Sequence, residues 1–299
     1  NLAGIERDDL ARGMVVLNNQ AIEPASILDC HVQLLNNAPM IESGSHVRLL
    51  VGTAEVLAVA HVLDNDTLQP GQRHWVQLRT ETPIVAFAGD KFIIRRESPL
   101  QTLGGGVILD PWASRARKKN HSKICRELSQ LRDGDTGVLL HRAGPGGLSP
   151  EQADVRHIRD GIHLGDRVVH TQHVETLASH LKDALHRWHV AHPLEAGAPR
   201  RTLHAGALAA LTNKAFDALI SHQAQGGSIQ TSGPTCRLAD FTVELNSEQS
   251  AAKKAMIQLL QDAQYEGVLF TDLITQPDGM LQLLLNGGEA VRVGERVVS

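Results

Sequence analysis

The chain has no Cys-x-x-Cys pair: its cysteines, Cys30, Cys125 and Cys236, are widely separated. That spacing supports neither a disulfide framework nor a zinc knuckle and fits reduced thiols in a cytoplasmic protein. No apolar run approaches the roughly 20 residues needed to cross a bilayer, because Arg, Asp or Gly breaks the richest stretches, so no membrane partner is expected. A cationic lead with an apolar signal segment is missing as well. The chain begins at Asn1, and Asn1-Leu2-Ala3-Gly4-Ile5 reads as a strand, so the expectation is a piece cut from a larger protein.

Catalytic signatures are equally scarce. Gly104-Gly105-Gly106 and Gly144-Pro145-Gly146-Gly147 are rich in glycine, but a phosphate-cradling loop needs Lys and then Ser or Thr after its last glycine, and Val107 and Leu148 stand there. Turn geometry is the expected role of both. Asn213-Lys214-Ala215-Phe216 falls short of a guanine-reading tetrapeptide because Phe216 cannot accept a hydrogen bond from the base. No nucleophile sits in a recognisable elbow, although Ser-His-Asp or Cys-His partners can meet in a fold from distant positions. His186, His189 and His192 follow i, i+3 spacing, which could align metal ligands on one helix face, yet no carboxylate or Cys nearby in sequence completes the set. A polar helix face is the expected reading, with no metal and no catalytic residue. Trp75 and Trp188 lie in amphipathic patterns that suit core packing better than base stacking.

What is present is an ordinary globular composition, 42% hydrophobic and 21% charged over 299 residues, a length that favours three or four modules over one domain. The net charge of −4 argues against a surface broadly coated with nucleic acid. It leaves room for a local contact, because Arg115, Arg117, Lys118, Lys119, Lys123 and Arg126 fall in one stretch without an acid. Two readings are open there: contact with a phosphate backbone, or a solvated linker that keeps two domains apart. Arg200-Arg201 is a weaker second case, read as a loop.

Strand patterns occupy the first third, at Ile27–Leu35, Val47–Val51, Ala54–Leu63, Trp75–Leu78, Lys91–Arg95 and Val107–Leu109, separated by Asp64-Asn65-Asp66, Pro70-Gly71 and similar breaks. This predicts an antiparallel barrel, closed or nearly so. After Asp110-Pro111 the basic stretch leads into helical periodicity near Ser122. Gly165-Asp166-Arg167-Val168-Val169 and Gly294-Glu295-Arg296-Val297-Val298 then close two similar units, and Ser228–Leu238 with Gly233-Pro234 closes a longer one between them. Helices followed by a hairpin, repeated in units of roughly 50 to 70 residues, predict a series of winged helices. In the first unit Ser149-Pro150-Glu151 supplies an N-cap and N1 proline for a helix to about Ile158. The fold class is therefore mixed β and α, an antiparallel β-barrel followed by a series of winged-helix domains.

Two sets of residues carry a family resemblance. Asn1 through Val16, with a strand, a charged loop and the Arg12-Gly13 turn, resembles the closing strands of domain II of translational GTPases. The ordered set Val51-Gly52-Thr53-Ala54-Glu55-Val56, Leu68-Gln69-Pro70-Gly71, Val76-Gln77-Leu78-Arg79, Asp90-Lys91-Phe92-Ile93-Ile94-Arg95, Ser98-Pro99 and Thr102 through Pro111 resembles domain III of the selenocysteine-specific elongation factors, the SelB family. The winged-helix series agrees with that family, since general elongation factors stop at the barrel. The resemblance implies the end of translation-factor domain II at 1–20, a domain III barrel at 21–111, a basic linker at 112–120, and winged helices at 121–173, 174–245 and 246–299. It also implies delivery of selenocysteyl-tRNA to a ribosome stopped at UGA, directed by a hairpin in the mRNA. GTP and Mg²⁺ would bind a GTPase domain outside these residues. The family usually has a fourth winged helix that grips the hairpin, and the expectation is that this chain, a monomer, ends after the third. The competing class is a winged-helix DNA-binding transcriptional regulator, which needs a basic recognition helix; Pro150–Ile158 carries Glu151, Asp154, Arg156 and His157 instead. An intact hydrolase would need a deep pocket with convergent titratable groups.

Overall fold

A computed structural model describes Gly4, Glu6, Asp8 and residues 10–273 and 279–298. The strand read at residues 1–5 lies outside the described residues except for Gly4. Residues 10–24 form no strand, and the Arg12-Gly13 turn is present with Gly13 at φ 96°. The chain divides into two compact bodies, Asn1–Ile162 with Val168–His170, and His163–Arg167 with Thr171–Ser299.

The first body opens with a closed barrel of β1 (Ala25–Leu34), β3 (Ser45–Val51), β4 (Ala54–Val62), β6 (Arg73–Ile84), β7 (Lys91–Arg96) and β8 (Gln101–Asp110), in the order β1-β6-β4-β3-β7-β8. Short strands β2 (Ile41–Glu42) and β5 (Thr67–Leu68) pair beside it. Period-2 alternation determines the inside: Leu28, Cys30, Val32 and Leu34 of β1 join Val47, Leu49, Val76, Leu78, Phe92 and Ile94 in one core. The intervening residues, among them Asp29 and His31, face outward.

The three glycines correct the sequence reading. They lie inside β8 and form no turn, and the strand begins six residues before Val107. A Cβ at Gly104 would stand 2.2 Å from Gln33 O, at Gly105 2.4 Å from Phe92 O, and at Gly106 2.2 Å from His31 O. Their role is to let β8 close against β1 and β7. Gly144 and Gly147, by contrast, occupy a turn with φ 75° and 61°.

After the barrel come α1 (His121–Arg132), α2 (Gly137–Arg142), α3 (Pro150–Val155) and the hairpin β9 (Ile162–Leu164) and β10 (Arg167–Val169). Leu139, Leu140, Leu148, Ala153, Ile158 and Val168 form the core of this first winged helix. Ser149 and Gln152 make a reciprocal capping box at the start of α3. The helix stops at Val155, short of Ile158, because His157 turns to φ 55° and Ile158 folds back into the core.

The second body carries two more helix–hairpin units. One contains α4 (Thr171–Ala191), β11 (Ala198–Pro199), α5 (Arg200–Leu203), α6 (Asn213–Gln225), β12 (Ile229–Ser232) and β13 (Thr235–Leu238). The other contains α7 (Ser247–Asp262), β14 (Val268–Leu269), α8 (Phe270–Leu273), α9 (Met280–Asn286), β15 (Val291–Val293) and β16 (Arg296–Val298). Each has a three-stranded sheet, β11-β13-β12 and β14-β16-β15. The repeated hairpin ends turn at Gly165, Gly233 and Gly294, with φ 58°, 55° and 66°, values that glycine adopts without a Cβ penalty.

Candidate nucleic-acid interface

Between the barrel and the first winged helix lies a buried charge cluster. Asp29 on β1 and Asp110 on β8 are register partners pointing outward from the barrel, with side chains only 2% and 3% exposed. Arg142, the last residue of α2, reaches across: its Nη1 donates to Asp29 Oδ2 at 2.9 Å and Asp110 Oδ2 at 3.0 Å, and its Nε to Glu127 Oε2 of α1 at 2.8 Å. Gln77 donates to Asp29 Oδ1 at 2.8 Å. Burial pushes the Asp29 carboxyl up to about 6, against the pull of Arg142 and Gln77, while Arg142, in spite of its own burial, is held above the ordinary guanidinium value by Asp29, Glu127 and Asp110.

The basic linker is pinned to the same barrel wall. Gln77 Oε1 accepts from Ala116 N at 2.9 Å, Gln77 Nε2 donates to Ser114 O at 3.0 Å, and Arg79 Nη2 donates to Ala116 O at 3.2 Å. Ala116 packs with Leu63 of the barrel and Leu128 of α1, flanked by Trp75, Leu109, Ile124, Cys125 and Leu131. Arg132 lies over the Trp75 ring at 5.5 Å and Arg156 over Trp112 at 4.8 Å. This excludes the plain-spacer reading of 112–120: an apolar plug, main-chain hydrogen bonds and a charge cluster join barrel and winged helix directly.

With Ala116 turned inward, its neighbours Arg115 and Arg117 turn out. Arg115, Arg117, Lys118, Lys119, Lys123 and Arg126 are all exposed. Lys123 has Glu127 at 3.5 Å; the other five form no ion pair or side-chain hydrogen bond among the described residues. Sequence reasoning missed the barrel residues behind them. His61 is held below the usual histidine value by burial first and then by Arg79, Arg115 and His121; Arg79 is lowered by burial and Arg115. An outward His and Arg on barrel strands gave no sequence signal of proximity to a linker so far along the chain.

The other candidates disperse. His186 is exposed, His189 is buried against Phe241 at 3.6 Å and accepts from Leu238 N, and His192 stacks on Trp188 at 3.9 Å. Among the described residues no group of three or more His, Cys, Asp or Glu converges as a metal site. Lys214 stands at the start of α6, capped by Thr212. Arg200 pairs with Asp217 at 3.4 Å, leaving Arg201 exposed. The groove of about 680 Å³ over the glycines is lined by His31, Gln33, Arg73 and Lys91 and holds no carboxylate or nucleophile. Among the described residues no helix is long and apolar enough to cross a membrane. The helix offered as a DNA reader, α3, is six residues long, presents Glu151 and Asp154, and has the neighbouring Arg156 drawn onto Trp112.

Residues 28–115 match the family described as "Selenocysteine-specific elongation factor, beta-barrel domain", and residues 182–238 match "Elongation factor SelB, winged helix". Both matched descriptions are of SelB elongation-factor domains. A selenocysteine-specific elongation factor of Desulfomicrobium baculatum is 28% identical over an alignment covering 99% of this chain and 51% of that protein. The chain thus spans about half the length of its curated SelB relative. A crystal structure of the bacterial selenocysteine-specific elongation factor EF-Sec superposes with a TM-score of 0.65 at 17% identity, covering 100% of this chain and 48% of that one, and shares the fold. The SelB match to the barrel ends at Arg115, inside the basic segment. The matches favour the elongation-factor reading over a winged-helix DNA regulator.

Proposed function

We propose that this chain is the RNA-positioning part of a selenocysteine-specific elongation factor. The whole protein would deliver selenocysteyl-tRNA to a ribosome stopped at UGA, directed by an mRNA hairpin. It would hydrolyse GTP with Mg²⁺ in a domain outside these 299 residues. In this reading the chain is a cytoplasmic monomer that binds without catalysing. The barrel at 21–111 helps to hold the tRNA, the segment at 112–120 contacts the phosphate backbone, and the winged helices at 121–173, 174–245 and 246–299 form an arm toward the mRNA.

The observation that carries the reading is that two SelB domain families match in order, within a relative aligned to 99% of the chain. The contact is assigned to Arg115, Arg117, Lys118, Lys119, Lys123 and Arg126, exposed cations on a braced support. Fluorescence anisotropy with a labelled selenocysteine tRNA tests it. Binding should weaken steeply with salt, and charge reversal at Arg115, Arg117, Lys118 and Lys119 should flatten the plot of log affinity against log salt. An unchanged slope would return the segment to a solvated surface.

A further inference from the structure

Hydrogen bonds from two barrel residues fix where the basic segment lies. Gln77 and Arg79 hold the two main-chain groups of Ala116, and the β4–β6 register places His61 opposite Gln77 and Val59 opposite Arg79. Arg115 and Arg117 therefore emerge beside a barrel wall that presents His61 and Arg79. Farther on, Lys119 lies in the 3-10 turn Lys118–Asn120 that leads into α1, and Lys123 and Arg126 follow at i, i+3 spacing on the first turns of α1 itself. Like charges from barrel, linker and helix are thus gathered in one frame, most of them without a counter-charge among the described residues. Burial is the first cause of the lowered values of His61 and Arg79, and Arg115 lowers both further by repulsion. A polyanion laid across the frame would relieve it.

We propose that His61 and Arg79 of the barrel join Arg115, Arg117, Lys119, Lys123 and Arg126 in a single composite docking surface for the backbone of an A-form RNA duplex. The proposal rests on the RNA-positioning reading and adds the partner's form and the barrel's share in holding it. A single strand is usually gripped by aromatic side chains on which its bases stack. Residues 113–126 contain no Phe, Tyr or Trp, and the nearby tryptophans are engaged, Trp75 by His31 and Arg132, Trp112 by Arg156. Cations held on a braced support suit a stiff row of phosphates, which is how duplex RNA is recognised when its sequence is not read. The helix in the recognition position of this winged helix, α3, is six residues long and acidic, which does not suit major-groove reading of DNA.

The test is anisotropy on the 299-residue chain with three probes: an RNA duplex of roughly 16 base pairs, one of its strands alone, and a DNA duplex of the same sequence. The RNA duplex should bind about tenfold tighter than either competitor, and each cation removed should lower the salt slope by about one. The decisive variant is His61→Glu, which places a negative charge on the barrel wall opposite Gln77 and leaves both hydrogen-bond partners of Ala116, Gln77 and Arg79, in the chain. It should weaken duplex binding about as much as Arg115→Ser with Arg117→Ser, roughly tenfold, at an unchanged urea midpoint. Arg79→Gln is a second variant, informative only if its urea midpoint is retained.

If the linker variants weaken binding and His61→Glu does not, the composite surface is wrong while the RNA reading stands. If neither weakens it, both fail at this site. A single strand or DNA duplex that binds as tightly as the RNA duplex overturns the assignment of the partner.

Discussion

Replacing Arg142 with Met should loosen the joint more than any surface change nearby. The guanidinium is the cation hydrogen-bonded to both Asp29 and Asp110, whose side chains are 2% and 3% exposed, and it also holds Glu127 of α1. Met fills much of the same space and supplies no charge, so two carboxylates would face each other across register-paired strands in a desolvated pocket. Removing one partner of a buried pair costs about 3–5 kcal/mol. Part of that returns below neutral pH, because Asp29, already pushed up to about 6, can shed its charge by taking a proton. The assay is urea unfolding combined with amide hydrogen exchange over residues 112–132, since a multidomain chain need not unfold in one step. Protection in that segment should fall about a hundredfold or more at pH 7.5, while α6 and its hairpin stay protected. Adding Asp29→Asn to Arg142→Met should restore part of the loss, as the two residues act as a pair. Unchanged protection over 112–132, or a loss shared equally by the second body, would refute the idea that Arg142 holds the joint.

Elements with an uninterrupted pattern were legible in the sequence. The six long strands showed through their alternation, and the three hairpins through their glycines. The sequence underestimated β6 and β8, whose polar or glycine-rich halves carry no apolar signal: Thr80-Glu81-Thr82-Pro83 continues β6, and Gln101 through Gly106 begins β8. The glycines misled because a residue needed for close strand approach looks, in sequence, like one needed for a turn. The linker's charges could be read directly, and its docking could not. That docking depends on Ala116, one small apolar residue between two arginines, and on polar partners far away along the chain. Asp29 is the clearest case. It alternates with Leu28 and Cys30 as an outward residue and so reads as solvated, yet the outward side of β1 is covered by a helix bearing Arg142, 113 residues on.

Two further predictions bear on the same wall. Gly106→Val should destabilise the barrel by several times the ordinary 1–3 kcal/mol of overpacking, because its Cβ would meet His31 O at 2.2 Å and Phe92 Cζ at 2.9 Å. A urea midpoint within error of the parent would contradict that. Asp29→Asn should act in the opposite direction at neutral pH. The folded-state value of Asp29 is about 6, above its ordinary 3.8, so the folded chain holds this proton more tightly than the unfolded chain does. Stability from that preference is complete below about 4 and is lost as pH rises through about 6, a difference of about 3 kcal/mol at most. Asn bears no charge to desolvate and keeps one oxygen, for either Gln77 or Arg142, the other donor losing its acceptor at residue 29. Urea midpoints measured from pH 4.5 to 7.5 should therefore decline less steeply for Asp29→Asn than for the parent, with the variant equal or more stable at pH 7.5. If the variant instead loses stability toward pH 7.5, the attraction of Arg142 outweighs the burial of Asp29, and the joint is held by the ionised pair.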